Sequence, residues 1–219
     1  MKTEMKNLQY GDFHVHTNYT DGKNTVLEYC QRARQNNLKL IAFTEHVRRN
    51  LTYDYDKFLS DIFQAKYEFT DIEIISGCEA KILGVDGELD APEEILYQCD
   101  IVIGVFHSFK YKDIKNYLVA LKAMLRDPIV DIWGHPALFA KRHNMKIEYD
   151  EIIEIIDICI ENDILIERNL KYNLPNYDFI KLALSRGAKF VIGSDAHSIS
   201  ELLTIQKLNE EWKCINKMY

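Results

Sequence analysis

Hydrophobic and polar positions along this chain follow two periods that take turns. Short β-rich apolar runs give way to longer stretches whose apolar residues recur every three to four positions, the mark of amphipathic helices. The first run, residues 10–15, leads into a polar turn at Asn18-Tyr19-Thr20-Asp21-Gly22. A helix is predicted next over about 25–36, with Val26, Tyr29, Cys30 and Ala33 on one face. Further strands are predicted over 38–43, 73–76, 100–106, 129–133, 164–166 and 190–192, and further helices over 55–69, 113–125, 149–161 and 176–186. Asp90-Ala91-Pro92-Glu93 reads as a helix start with proline near the first helical position. Gly187 reads as a helix C-cap, and the tail from about Ser200 as helical. The run 100–106 is nearly all apolar, as a strand buried on both faces should be.

The pattern amounts to seven strand–helix units. Repeated units of this kind imply parallel strands with helices outside them. Across 219 residues that number closes more readily into a barrel than into an open sheet. The expected fold is α/β, a TIM-like (β/α)7 barrel, with functional groups at the C-terminal strand ends. With four prolines, nine glycines and no low-complexity linker, residues 1–219 read as a single domain.

Composition narrows the function classes. No apolar run is long enough to span a membrane, and Met1-Lys2-Thr3-Glu4-Met5-Lys6 lacks the apolar core of a signal peptide, so a cytoplasmic location is expected. The five cysteines are odd in number and scattered, which argues against a disulfide framework or a CxxC metal site. Net charge is −7, and Arg48-Arg49 and Lys141-Arg142-His143 are isolated basic clusters, so binding to long nucleic acid is disfavoured. A small anion remains a fitting partner if metal ions reverse the local charge.

The chemistry lies at the ends of the strands. Strand one ends in His14-Val15-His16, whose imidazoles share a face. The later strands end in Thr44-Glu45-His46, Gly77-Cys78-Glu79, His107-Ser108, Gly134-His135-Pro136, Glu167-Arg168-Asn169 and Gly193-Ser194-Asp195-Ala196-His197. Six of the seven histidines sit at these ends, with His143 apart. Imidazole and carboxylate together suit Zn, Mn or Fe rather than the all-oxygen shells of Ca or Mg. The ligands outnumber the needs of one four-coordinate ion, so two or three divalent transition ions are expected, with Glu79 able to bridge two. Neighbouring divalent ions activate water near neutral pH and clamp the oxygens of a displacement at phosphorus. No G-x-S-x-G elbow, G-x-x-x-x-G-K-[ST] loop or G-x-G-x-x-G is present.

Taken in order from Asp12 to Ser198, these pieces resemble the polymerase-and-histidinol-phosphatase (PHP) family: His14-Val15-His16-Thr17 with Asp21-Gly22, Thr44-Glu45-His46, Gly77-Cys78-Glu79, Gly104-Val105-Phe106-His107-Ser108, Gly134-His135-Pro136, and Gly193-Ser194-Asp195-Ala196-His197. The resemblance implies a distorted (β/α)7 barrel of PHP type with a trinuclear centre. By it, His14, His16, Glu79 and Asp195 would bind the first ion. Glu79, His107 and His135 would bind the second, and Asp21, His46 and His197 the third.

Outside the ligands, Arg168 is the candidate phosphate clamp, since a guanidinium can pair two oxygens. The competing reading pairs it with Glu167 or a helix carboxylate. Asn169, Lys81, Arg48 and Ser108 are further candidate substrate contacts. Protonation of the leaving oxygen is open between Asp195, His197 and a water on the ions. Glu45 reads as structural, His143 as a solvated loop residue, and Glu201, Lys207, Glu210, Glu211 and Lys213 as the solvated face of the last helix. Three functions are consistent with this chemistry: hydrolysis of a phosphate monoester of a small metabolite, a phosphodiesterase or 3′–5′ exonuclease activity, and a metal-dependent binding role without catalysis.

Overall fold

Seven strands lie parallel in sequence order: β1 (Gly11–Val15), β2 (Leu40–Val47), β3 (Glu73–Lys81), β4 (Ile101–Val105), β5 (Ile132–Trp133), β6 (Leu165–Asn169) and β7 (Phe190–Gly193). The computed structural model describes residues 7–217. Met1 to Lys6, where the sequence lacks the apolar core of a leader, lie outside the described residues. The sheet curls until its ends meet, through a parallel bridge between Val15 and Ala196 in which His16 N donates to Ala196 O at 2.9 Å. The result is the expected distorted (β/α)7 barrel.

Helices α1 (Val26–Gln35), α2 (Tyr55–Glu68), α3 (Glu93–Leu96), α4 (Ile114–Leu125), α5 (Leu138–Arg142), α6 (Tyr149–Glu161), α7 (Tyr177–Arg186) and α8 (Ile205–Asn216) surround the strands. Thr25 and Glu28 form a reciprocal capping box at the start of α1, worth about 1 kcal/mol. Asp54, Asp113, Asn176 and Thr204 cap α2, α4, α7 and α8. No described helix is long and apolar enough to cross a membrane.

The core has two layers. Outward-facing strand residues such as Ile41, Phe43, Ile74, Trp133, Ile166 and Ile192 pack beneath the helices. A separate inner cluster, including Phe13, Leu40, Ala42, Ile75, Ile103, Ile132 and Val191, plugs the barrel. Cys30, Cys78 and Cys159 are buried, whereas Cys214 is exposed.

Several boundaries differ from the pattern. β2 and β3 run past the predicted 38–43 and 73–76, so His46 and Glu79 lie within strands rather than beyond them. β5 keeps only two residues of the predicted 129–133, and the short helix α5 had no predicted counterpart. Glu211, read as solvated, is buried against Arg168. Glu201 precedes α8 and accepts hydrogen bonds from His197 N (2.7 Å) and Ser198 N (3.1 Å). His143 is half-buried, its ring 4.3 Å from that of Phe139.

Candidate metal centre

Strand parity builds the site. On β3, Ile75 faces the barrel interior and Ile74, Cys78 and Ala80 face the helices, so Glu79 points inward one layer above the apolar plug. On β4 the inward set Ile101, Ile103 and Val105 continues to His107. β1 is irregular. Its register against β2 slips between Asp12 and Val15, inserting one extra residue, so that Phe13 joins the inner plug while Val15 joins the outer layer. This bulge turns both His14 and His16 toward the barrel mouth.

Glu79 is the hub. Its Oε1 lies 3.0 Å from His135 Nε2, 3.1 Å from His107 Nε2 and 3.4 Å from His14 Nε2. Its Oε2 lies 2.6 Å from His46 Nδ1 and 3.8 Å from His16 Nε2. Asp195 Oδ1 is 3.9 Å from His16 Nε2, and Asp21 Oδ2 is 3.3 Å from both His46 Nε2 and His197 Nε2. All nine residues expected as ligands are therefore brought together. Potential ligand atoms converge in three groups: His14, His16 and Asp195; His16, His46 and His197; and His46, Glu79 and His107. His46 thus approaches Glu79 and His107 as well as the Asp21 side.

The residues fit divalent ions on a further observation. His14 Nε2, both His16 nitrogens, His46 Nδ1 and Glu79 Oε2 are buried without a well-formed hydrogen bond, since the close approach of His46 Nδ1 to Glu79 Oε2 lacks hydrogen-bond geometry. Native interiors rarely leave so many buried polar atoms unsatisfied in one place, and coordination to ions would satisfy them together. Two non-glycine residues of the set, His135 (φ 27°) and Asp195 (φ 54°), also hold left-handed backbone, a strain that concentrates at functional sites.

Electrostatics follow from the crowding. Burial works to lower the His14 pKa, but Glu167 and Glu79 outweigh it and hold it well above the ordinary value. Burial also opposes the charged form of His46, yet Asp21 and Glu79 raise it to about 9. His16, deeply buried among other imidazoles, is pushed well below its ordinary value. Burial likewise lowers His107. Burial would raise the Glu79 carboxyl, but His107 and His14 hold it well below the usual range. The hydrogen bond from His46 draws Asp21 down to about 2. One carboxylate hub among many imidazoles is a site prepared for cations.

A second set of groups aims the first. Glu167 Oε1 accepts from His14 Nδ1 at 2.8 Å and from Asn169 Nδ2 at 3.1 Å, and Glu167 Oε2 accepts from the His135 backbone N–H. This fixes the His14 tautomer with Nε2 free to face an ion. Gly193 makes room: a Cβ there would collide with the Glu167 carboxylate and lie 2.7 Å from His14 Cβ. Glu45 is structural, accepting from Thr17 N at 2.7 Å and Thr20 Oγ1 at 2.5 Å. Glu167 shares the inward face of β6 with Leu165, an orientation that the packing of the barrel sets.

The expected substrate contacts divide. Arg168 is corrected: it points out of the barrel, not into the site. Its Nε donates to Glu211 Oε1 at 2.7 Å, its other nitrogens reach Pro175 O and Asn173, and its guanidinium lies 4.9 Å from the Tyr177 ring centre. The pairing with a helix carboxylate is the arrangement found. Asn169 is also corrected: it is fully buried, donating to Glu167 and accepting from Tyr172 N at 3.1 Å. Arg48 lies beside the cluster, Nη2 3.4 Å from His107 Nδ1. Lys81 shares the Glu79 face of β3, with Nζ 3.3 Å from Asp90 Oδ2 and 3.5 Å from Ser108 Oγ. Lys171, which no sequence signal singled out, donates to Asp195 Oδ1 at 3.0 Å and lies 3.2 Å from His197 Nδ1.

Comparison with known proteins agrees with this geometry. Residues 12–171 match the PHP domain family. The chain is 29% identical over 203 residues to the DNA polymerase/3′-5′ exonuclease PolX of Bacillus subtilis (strain 168), covering 88% of this chain but 35% of that protein. It is 27% identical over 210 residues to a protein of Clostridium novyi (strain NT) named a probable phosphatase, covering 91% of this chain and 83% of the relative. Its fold is similar to that of histidinol phosphate phosphatase from Lactococcus lactis subsp. lactis Il1403, solved with Zn, L-histidinol and phosphate. The TM-score is 0.72 at 17% identity, covering 96% of this chain and 94% of that one. With a family match over residues 12–171 and a cluster of imidazoles and carboxylates at the barrel mouth, this chain belongs to the PHP domain family and is a metal-dependent phosphoesterase.

Proposed function

We propose that this protein hydrolyses a phosphate monoester of a small metabolite, using two or three divalent ions of Zn, Mn or Fe. The observation that carries the reading is the gathering of six imidazoles with the carboxylates of Glu79, Asp21 and Asp195, their buried polar atoms otherwise unsatisfied. His14, His16, Glu79 and Asp195 would hold one ion, Glu79, His107 and His135 a second, and Asp21, His46 and His197 a third. Bound there, the ions supply a nucleophile near neutral pH and charge to match the phosphoryl oxygens. The chain's own residues do the rest. Glu167 orients His14, and Arg48, Lys81 and Ser108 line the approach for the ester. Asp195 and His197 are the side chains available to return a proton to the leaving oxygen. Residues 1–219 are read as one domain.

Phosphate release from a panel of phosphomonoesters, with Mn or Zn present and after chelation, tests the proposal. Turnover that disappears with the chelator and returns with the metal is expected. No turnover on any ester with ions demonstrably bound would overturn it. The likeness to PolX favours a second reading, a phosphodiesterase or 3′–5′ exonuclease. Release of mononucleotides from a labelled oligonucleotide, faster than any monoester is cleaved, would select it.

A further inference from the structure

One rim of the cluster forms a continuous arc. Arg48 Nη2 lies 3.4 Å from His107 Nδ1, and His107 Nε2 lies 3.1 Å from His135 Nε2. The His135 ring stands edge-on to Tyr172 with centres 5.9 Å apart, and the Arg142 guanidinium sits 5.2 Å from the Tyr172 ring centre. Tyr172 is held in a tight turn after β6, closed by Asn169 N to Leu174 O (2.7 Å) and Leu174 N to Asn169 O (3.1 Å). Arginines therefore mark both ends of the arc, with candidate ion ligands and an aromatic face between them.

The charges along this arc are unbalanced. Lysines around the mouth are answered by carboxylates: Lys171 by Asp195 at 3.0 Å and Lys81 by Asp90 at 3.3 Å. The two arginines are not. Arg48 donates to the backbone carbonyls of Val47 (2.7 Å) and Glu79 (3.4 Å), and Arg142 meets the Tyr172 ring. Among the described residues neither has a carboxylate within ion-pair distance. In a molecule of net charge −7, Arg48 against His107 and Arg142 behind Tyr172 thus put two guanidiniums without carboxylate partners on one rim.

We propose that the site selects phosphate monoesters whose leaving group bears an anionic group of its own, a carboxylate or a second phosphate, received by Arg48 or Arg142. The inference rests on the phosphomonoesterase reading and names its substrate class. With the scissile phosphate on the ions, a leaving group lying along this rim meets a guanidinium at either end. A guanidinium pairs two oxygens of a carboxylate or phosphate in one plane. A leaving group carrying an ammonium would meet like charge beside an already cationic centre, which opposes binding.

The test uses the full chain loaded with Mn, its metal content measured, and three small esters: phosphoglycerate, glycerol phosphate and phosphoethanolamine. The expected kcat/KM is highest for phosphoglycerate, about tenfold above glycerol phosphate, the gain of one charge-assisted pairing, and lowest for phosphoethanolamine. Arg48→Gln and Arg142→Gln are each made, and at least one should erase most of the preference for phosphoglycerate. Arg142 is exposed and outside the ligand set, so its variant retains the ions and separates selectivity from metal loss. Rising salt should also compress the preference. Equal rates on the three esters, faster turnover of phosphoethanolamine, or a preference that survives both substitutions overturns the proposal while leaving the phosphatase reading intact. No turnover on any ester with ions bound overturns that reading, and the proposal with it.

Discussion

Glu167 has no place among the ligand pieces that carry the family resemblance, yet it touches two candidate ligands, His14 and His135, and the buried Asn169. Its carboxylate holds His14 by the ring nitrogen facing away from the cluster, His135 by its backbone, and Asn169 by its amide. Partners of this kind fix ligand orientation, and their loss weakens metal binding by about 10–100-fold. Glu167→Gln should therefore bind Zn or Mn more weakly by about that factor, read by competition with a chromophoric chelator. Circular dichroism should show the fold retained. An unchanged affinity would mean that the His14 ring is held by packing alone. The nine candidate positions that the barrel brings together were legible in the sequence, because histidine and carboxylate recur after successive apolar runs. Arg168 was not: nothing local in Glu167-Arg168-Asn169 says which residue faces inward. Only the packing of β6, with Leu165 inside and Ile166 outside, decides it.

The elements matter through their irregularities. β1 is aimed by its bulge, and Asp12 pins that strand at the barrel seam. The Asp12 carboxylate accepts from Ser194 N (2.9 Å), Leu203 N (3.2 Å) and His14 N (3.4 Å), tying β1 to the segment after β7 and to the start of the C-terminal region. Full burial raises its pKa to about 6 despite those donors. The folded protein then keeps a proton that the unfolded chain releases near pH 4. Stability of the metal-free protein should accordingly fall as pH rises from about 4 to 6, by about 3 kcal/mol in total from this group. Asp12→Ala should flatten that fall. It should also lower stability by about 2–4 kcal/mol, because it strands buried N–H groups. Urea unfolding across that pH range reads both effects, and a slope that persists in the variant would assign it to another group. Helix α5 escaped the pattern for a physical reason. Five residues show too few turns for a 3.6-residue period, and it starts after Pro136 and the left-handed Ala137, which read as a break. β2 and β3 were read short because Thr44-Glu45-His46 and Gly77-Cys78-Glu79 are polar or small, the composition of a loop. They pair as strands because each residue finds its register partner, Glu45 opposite Cys78 and His46 opposite Glu79.

Across the molecule, the mouth of the barrel collects imidazoles and carboxylates whose buried, unsatisfied atoms bound cations would satisfy together. His46, raised to about 9, contributes to the stability of the metal-free protein below about pH 6.5, and that contribution is lost as pH rises through 9. An ion must displace that proton, so metal affinity should climb with pH up to about 9, with proton release on binding. At a hundredfold excess over the dissociation constant, metal should raise the melting temperature by about 5–10 °C at pH 8, and by less at pH 6. Calorimetric melting with and without Mn checks this, and a shift independent of pH would remove His46 from the binding event. The barrel class and the candidate ligand set could be read from the residues in order, because strand and helix periods and the residue after each strand are local properties of the chain. Folding had to settle how many imidazoles meet Glu79, that Arg168 faces α8 while Glu167 faces His14, and that Arg48 and Arg142 end up along one rim. Those outcomes depend on inward or outward parity and on the closure of β1 against β7, which arise only when distant strands pair.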